Sequence, residues 1–177
     1  MGYFLRSERL GFRCWKEEDL PLAMGLWGDP EVSAMLGGPF TPEAVQARLK
    51  KEIERMQEIG IQYWPVFLLK DGTHVGCVGL QTYGEEEQVY ELGYHLRRAF
   101  WGQGLAKEAA CTVIDYAFKA LKAEALFAGH HPLNEASRRV LLSLGFSATG
   151  WELYPPTGIL EPAYRLHKPQ SAEKAVS

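Results

Sequence analysis

Along residues 41–60, TPEAVQARLKKEIERMQEIG, apolar side chains fall at Val45, Leu49, Ile53 and Met56. Spacings of three and four put them on one stripe of an α-helix. Thr41 supplies an N-cap oxygen, Pro42 suits the first helical position, and Gly60 suits the stop. Arg48, Lys50, Lys51 and Glu52 lie off the stripe and read as its solvated side. Ahead of this helix, RLGFRCW alternates in part and predicts a strand over residues 9–15. EEDLPLAMGLW predicts a short helix broken at Gly28-Asp29-Pro30. A second short helix, Glu31 to Met35, ends at Gly37-Gly38-Pro39.

After Gly60 the period changes to two. IQYWPVFLLK, THVGCVGLQTY and VYELGYHL read as strands, separated by the turns KDGT and GEEEQ. Residues 61–96 are thus predicted to form an antiparallel meander, with Pro65 at an edge or a bulge. In its third strand Glu91, Gly93 and His95 share one face, and Tyr90, Leu92 and Tyr94 the other. From Leu105 to Leu121 the helical period returns, with Ala106, Ala109, Ala110, Val113, Ile114, Ala117 and Leu121 on one side. EALFAGHH reads as a short strand. NEASRRVLLSLGF reads as a helix capped by Asn134 and closed by Gly145. SATGWELY and PAYRLHK read as final strands joined by a loop containing PPTG. The order predicts a mixed α/β (α+β) sheet, with a helical crossover between the third meander strand and the next.

Composition narrows the class. The chain has 177 residues and a formal charge of −3. That length suits a single domain, expected over 1–168, with a polar, disordered tail over 169–177. The charge gives no sign of general nucleic-acid affinity. No apolar run is long enough for a membrane span, and MGYFLRSERL lacks the apolar region of a secretory signal, so a cytoplasmic protein is expected. Cys14, Cys77 and Cys111 are scattered, without CxxC, and read as reduced, mostly buried thiols. Met24, Met35 and Met56 read as core or pocket lining, and Phe100 and Trp101 as packing residues. His130 and His131 are neighbours on a strand, point to opposite faces and lack a third ligand, so no metal is expected.

One stretch is unexplained by packing. RRAFWGQGLAKEA puts Gly102 and Gly104 just ahead of a helix. Glycine there lets backbone N–H groups at a helix N-terminus approach an anion, a phosphate above all. A tight turn without a ligand suits the spacing equally. A dinucleotide fingerprint fails, because Lys107 stands where the third glycine belongs and the preceding strands are antiparallel. A P-loop pattern is absent.

ELGYHLRRAFWGQGLAKEA resembles the acyl-CoA loop of the GNAT acetyltransferase superfamily, whose pattern is [Q/R]-x-x-G-x-[G/A]. Gly102, Gln103 and Gly104 match its last places, and Ala99 departs from its first. AGHHPLNEASRRVLLSLGF resembles the later family block, in which Asn precedes a helix that Gly-Phe ends. Together they are most similar to the RimJ/RimL type, over about Glu8 to Lys168. The resemblance implies a GNAT fold: a mostly antiparallel sheet, helices on both faces, and a splayed parallel pair formed by YELGYHL and ALFAGHH. It implies an N-acetyltransferase moving acetyl from acetyl-CoA to a primary amine, a small molecule or a protein N-terminus, without metal, and a homodimer is compatible with it. The pantetheine arm would run near His95 and Leu96. The diphosphate would sit on the N–H groups of Gly102, Gln103, Gly104, Leu105 and Ala106, with Arg97, Arg98 and Arg138 adding charge.

The chemistry then asks for three groups. An amine must lose a proton, for which Glu91 and then His95 are the candidates. The developing oxyanion needs a donor, such as a strand N–H near Leu96. The thiolate needs little help, since thiols ionise near pH 8.5. Many family members place a Tyr for this where Leu141 stands, whereas Ser137 matches the serine of RimL-type relatives. Asn134 is either a cofactor contact or an N-cap, with the cofactor contact preferred. Acceptor choice would lie in residues 17–60 and in the loop from Trp151 to Pro162, where Glu152 and Glu161 are either attractors of a cationic amine or, with preference, solvated acids. The rival reading is a catalytically weak CoA-binding sensor or interaction module. A nucleotide-binding domain unrelated to acetyl-CoA is a third.

Overall fold

A computed structural model describes residues 2–169. The tail expected over 169–177 lies, from residue 170 on, outside the described residues. In chain order the elements are β1 (Leu5–Arg6), β2 (Leu10–Phe12), α1 (Leu20–Trp27), α2 (Pro30–Ser33), α3 (Pro42–Ile59), β3 (Tyr63–Leu68), β4 (His74–Thr82), β5 (Val89–Leu96), α4 (Leu105–Lys119), β6 (Ala125–Gly129), α5 (Glu135–Ser143), β7 (Ser147–Tyr154) and β8 (Ile159–His167). The expected mixed fold is present. The helix ends follow from local chemistry. Thr41 Oγ1 accepts from Ala44 N at 3.2 Å at the start of α3, and Gly60 closes it in the left-handed region.

The strands form one sheet in the order β1-β2-β3-β4-β5-β6-β8-β7. Every neighbouring pair is antiparallel except β5 and β6, which α4 joins as a parallel crossover. Alternation along the strands splits the buried residues into two cores. On one face Trp64, Val78, Leu80 and Leu92 pack with Ala109, Ala110 and Val113 of α4 and Leu141 of α5. On the other, Tyr63 and Cys77 pack with Ala23, Leu26 and Trp27 of α1 and Val45 and Leu49 of α3. No helix among the described residues is long and apolar enough to cross a membrane.

Several sequence expectations need correction. β3 is an inner strand. Pro65 is tolerated because β2 ends at Phe12, so its nitrogen faces a local gap while its carbonyl accepts from Arg13 N. The ladder to β4 shifts register one step later, between Val66 and Phe67. Glu52 is buried rather than solvated, and Cys111 is exposed. The stretch from Trp151 to Pro162 is mostly paired strand: Trp151 faces Pro162, Glu152 faces Glu161, and Leu153 faces Leu160. Alternation turns Glu152, Tyr154 and Glu161 to the α3 side of the sheet and leaves Trp151, Leu153 and Leu160 exposed on the opposite side.

Candidate active site

The parallel pair is short. β5 and β6 hold together only from Val89 with Ala125 to Glu91 with Phe127. Beyond that, β5 stays with β4 as far as Leu96, and β6 stays with β8 as far as Gly129. The strands part, and a cleft of about 680 Å³ opens where they separate. It is lined from both faces of the sheet: Glu91 and His95 on the α3 side, Tyr94 and Ser137 on the α5 side. Volumes of this order suit a small ligand.

Two carboxylates stand on the α3 side. Gln81 Nε2 donates to Glu91 Oε2 at 2.8 Å. Burial raises the Glu91 pKa, against the hydrogen bond from Gln81. Glu161, placed by the sequence reading among solvated acids, is only 8% exposed. Its Oε1 is buried without a hydrogen-bond partner, and its Oε2 lies 3.7 Å from where a Cβ would stand on Gly129. Burial, and then the charge of Glu91, raise its carboxyl to about 7. The pattern alone gave no signal for Glu161, because its burial depends on β6 and β8 being neighbours.

His95 lies on the same face, its ring 5.6 Å from that of Tyr63. Its Nδ1 accepts from Trp27 Nε1 at 3.2 Å. An indole N–H only donates, so the neutral ring carries its proton on Nε2. Burial, then the charge of Arg48, push the His95 pKa well below the usual histidine range. Gly93 is required beside it, since a Cβ there would come within 2.2 Å of the Tyr63 hydroxyl.

On the opposite face Ser137 Oγ lies 2.8 Å from the Tyr94 hydroxyl. Burial raises the Tyr94 pKa to about 12, so the phenol stays protonated. Leu141, at the family's tyrosine place, is wholly buried in the core. Tyr94, from a strand rather than a helix, brings a phenol beside Ser137, a neighbour that the sequence pattern did not single out. Asn134 Oδ1 accepts from Ser137 N at 3.0 Å. Its oxygen thus serves as the N-cap of α5, and Asn134 also lines the cleft.

The glycine loop follows β5 directly. Gly102 and Gly104 have φ of 71° and 74°, a region that costs other L-residues roughly 1–2 kcal/mol each. A Cβ on Gly102 would meet nothing within 4 Å, and one on Gly104 only Arg9 Nη2 at 3.8 Å. The N-terminus of α4 has no side-chain cap. Its first N–H groups, from Leu105 and Ala106 onward, lack a side-chain acceptor, and open space lies above the glycines that precede them. Those features fit a diphosphate. Gln103 turns back, its Nε2 donating to Ala99 O at 2.8 Å. Trp101 is half exposed rather than packed, and its indole donates to Leu96 O at 2.8 Å.

Arg97 leans on Gly25 of α1, on the face away from α4. Arg98 pairs with Glu31, and Arg138 pairs with Glu135 at 2.8 Å. Arg9 also reaches the loop: its Nη1 donates to Gln103 O at 3.2 Å while its Nε pairs with Glu108. His130 and His131 follow the end of β6 rather than lying within it. His130 Nδ1 lies 2.8 Å from His131 O and its Nε2 3.2 Å from the Tyr164 hydroxyl. The described residues contain no cluster able to hold a metal ion.

Comparison with known proteins agrees with this geometry. Residues 9–147 match the family model described as Acetyltransferase (GNAT) domain. The chain is 33% identical over 153 residues to an uncharacterized N-acetyltransferase, YoaA, of Bacillus subtilis (strain 168), covering 82% of this chain and 84% of that one. A GNAT-family acetyltransferase from Bacillus anthracis superposes with a TM-score of 0.80 at 25% identity, over 92% of this chain and 97% of that one. RimL, a ribosomal L7/L12 α-N-protein acetyltransferase in complex with coenzyme A, superposes with a TM-score of 0.79 over 94% of this chain and 98% of that one. At 16% identity, that last likeness is one of fold.

Proposed function

Since this chain belongs to the GNAT acetyltransferase family and is an acetyltransferase, we propose that it acetylates a primary amine held in the cleft between β5 and β6. The observation that carries this reading is the parting of β5 from β6 just past Glu91, with the uncapped N-terminus of α4 following on β5. Acetyl-CoA supplies an acyl carbon for the amine to attack and a thiolate that leaves. The N–H groups of Gly102 to Ala106 hold its diphosphate, supported by Arg9. The open edge of β5 near His95 and Leu96 orients its arm. An acceptor enters on the α3 side, where Glu91 and Glu161 face it.

An amine arrives mainly as its ammonium ion and must shed a proton to expose its lone pair. The Glu91–Glu161 pair takes that proton. One member of such a pair stays ionised while its neighbour resists ionisation, and burial with the charge of Glu91 holds Glu161 up to about 7. His95 does not compete for it, because its Nδ1 lone pair is engaged by Trp27 and its Nε2 is protonated. On the far side, Ser137 and Tyr94 share a hydrogen bond and offer a hydroxyl proton to the departing sulfur. The balance is one new C–N bond, one broken C–S bond, one proton to sulfur and one released through the carboxylates.

The test begins with binding of acetyl-CoA, read as a thermal shift. Amine-dependent release of free thiol is then followed with a panel of amines. We expect turnover, and a fall in kcat of about 10²-fold or more in Glu91→Gln, with the affinity for acetyl-CoA retained. Binding without thiol release for any amine would instead favour a sensor that binds coenzyme A.

A further inference from the structure

We propose that the acceptor is a zwitterion, a small molecule of the α-amino-acid class, with Arg48 binding its carboxylate and the Glu91–Glu161 pair its ammonium group. This deepens the reading of the cleft as an acetyl-transfer site and rests on it.

Arg48 is an arginine without a counter-ion among the described residues. Arg48 projects from the middle of α3 into the cleft wall. Its guanidinium lies over the Trp27 ring at 4.6 Å, and its Nε is buried with no hydrogen-bond partner. The natural partner four residues along the helix is Glu52. Both Glu52 oxygens are already taken: Arg55 Nη1 donates to each at 3.0 Å, and Tyr63 N donates to Oε2 at 2.8 Å. No carboxylate among the described residues forms an ion pair with Arg48. A cation desolvated on one side and unpaired is costly unless something that binds there completes it.

The opposite pole faces the same space. Glu161 Oε1 is also buried and unpartnered. Tyr154 lies within the fields of Arg48, Glu91 and Glu161 together, and Tyr63 within those of Arg48 and Glu91. Arg48, Glu91 and Glu161 all line the one cleft of about 680 Å³, so both poles face the space that a compact molecule would enter. A planar guanidinium is matched by a carboxylate that takes two parallel hydrogen bonds. A simple alkylamine leaves Arg48 unpaired, a polyamine is repelled by it, and a peptide N-terminus presents a neutral amide in place of the carboxylate. Met35, Leu36 and Phe40 line the same cleft and suit an apolar side chain.

The test measures thiol release with acetyl-CoA for L-methionine, L-leucine and L-phenylalanine, beside their methyl esters and the matching decarboxylated amines. An N-terminal alanyl peptide serves as the macromolecular control. We expect kcat/KM for the acids to exceed that for esters and decarboxylated amines by about tenfold or more. Arg48→Gln should bring that ratio close to one, and Arg48→Lys should keep part of it, because ammonium retains charge without the planar fork. Equal rates for acid and amine, a ratio unmoved by Arg48→Gln, or a preference for the peptide overturns the proposal while leaving acetyl transfer intact. If no amine turns over, the acetyl-transfer reading fails, and thermal shifts with the N-acetyl amino acids decide the binding claim separately. Stabilisation that is lost in Arg48→Gln and kept in part in Arg48→Lys upholds it, and no stabilisation of the parent protein, or stabilisation unmoved by Arg48→Gln, overturns it.

Discussion

Glu91 and Glu161 are two acids on one face of a sheet, in a setting that disfavours charging both. Their linkage to folding has a definite sign. Below the ordinary carboxyl range Glu161 is protonated whether folded or unfolded, and it carries no penalty. As pH rises from about 4.5 to about 7 the unfolded chain ionises while the folded one resists, so this residue's contribution to stability is lost over that interval. The penalty above pH 7 is at most roughly 3 kcal/mol. Glu161→Gln should therefore raise Tm more at pH 8 than at pH 5, and equal shifts at both would contradict the burial assigned to it. In kinetics, kcat should rise with pH to a plateau above about 7, and this limb should move to lower pH in Glu161→Gln. On the other face, Tyr94→Phe should lower kcat by about tenfold while leaving KM for acetyl-CoA within about twofold, read by steady-state thiol release. Much of this residue-level picture was illegible in the sequence. Periodicity placed Glu91 and His95 on one face correctly. Glu52 and Arg48 read as solvated because a helical stripe says nothing of a strand that later donates a backbone N–H to a carboxylate. Glu161 read as a loop acid because its strand was not seen to begin at Ile159.

At the scale of elements, the junction between β5 and α4 carries the cofactor reading. Its two glycines hold a conformation that other residues enter at a cost, and the space above them is open. Replacing both Gly102 and Gly104 with Ala should strain the loop and put methyl groups where phosphate oxygens would sit. We expect affinity for acetyl-CoA to fall by about tenfold or more, measured by calorimetry, with only a modest loss of Tm. Elements with local punctuation were the legible ones: α3 between Thr41 and Gly60, α5 between Asn134 and Gly145, and the meander between its turns. Pro65 shows the limit. A proline argues for an edge, and here the edge is one residue wide, created by a neighbour that stops at Phe12. The arginines show another. Arg97 and Arg98 adjoin the loop in sequence, whereas Arg9 arrives from the far end of the chain to donate to Gln103 O, a contact that no local pattern signals.

At the scale of the whole molecule, a sheet with a core on each face is opened at one place between its parallel strands. The topology was legible, because three antiparallel strands followed by a helix and another strand allow few arrangements. The opening was not legible from hydrophobic pattern alone, since it depends on where ladder pairing stops; the family resemblance implied it. On the proposed mechanism, that opening separates two jobs: hydroxyls on the α5 side would serve the leaving sulfur, and carboxylates on the α3 side the amine. On this reading the junction after β5 grips acetyl-CoA so that its thioester lies in this gap. Amide hydrogen exchange with and without saturating acetyl-CoA tests it most directly. The account predicts slowed exchange concentrated at residues 102–106 and along the open edge of β5 near Leu96. Binding that leaves those amides unprotected, or protects only a surface elsewhere, would contradict it.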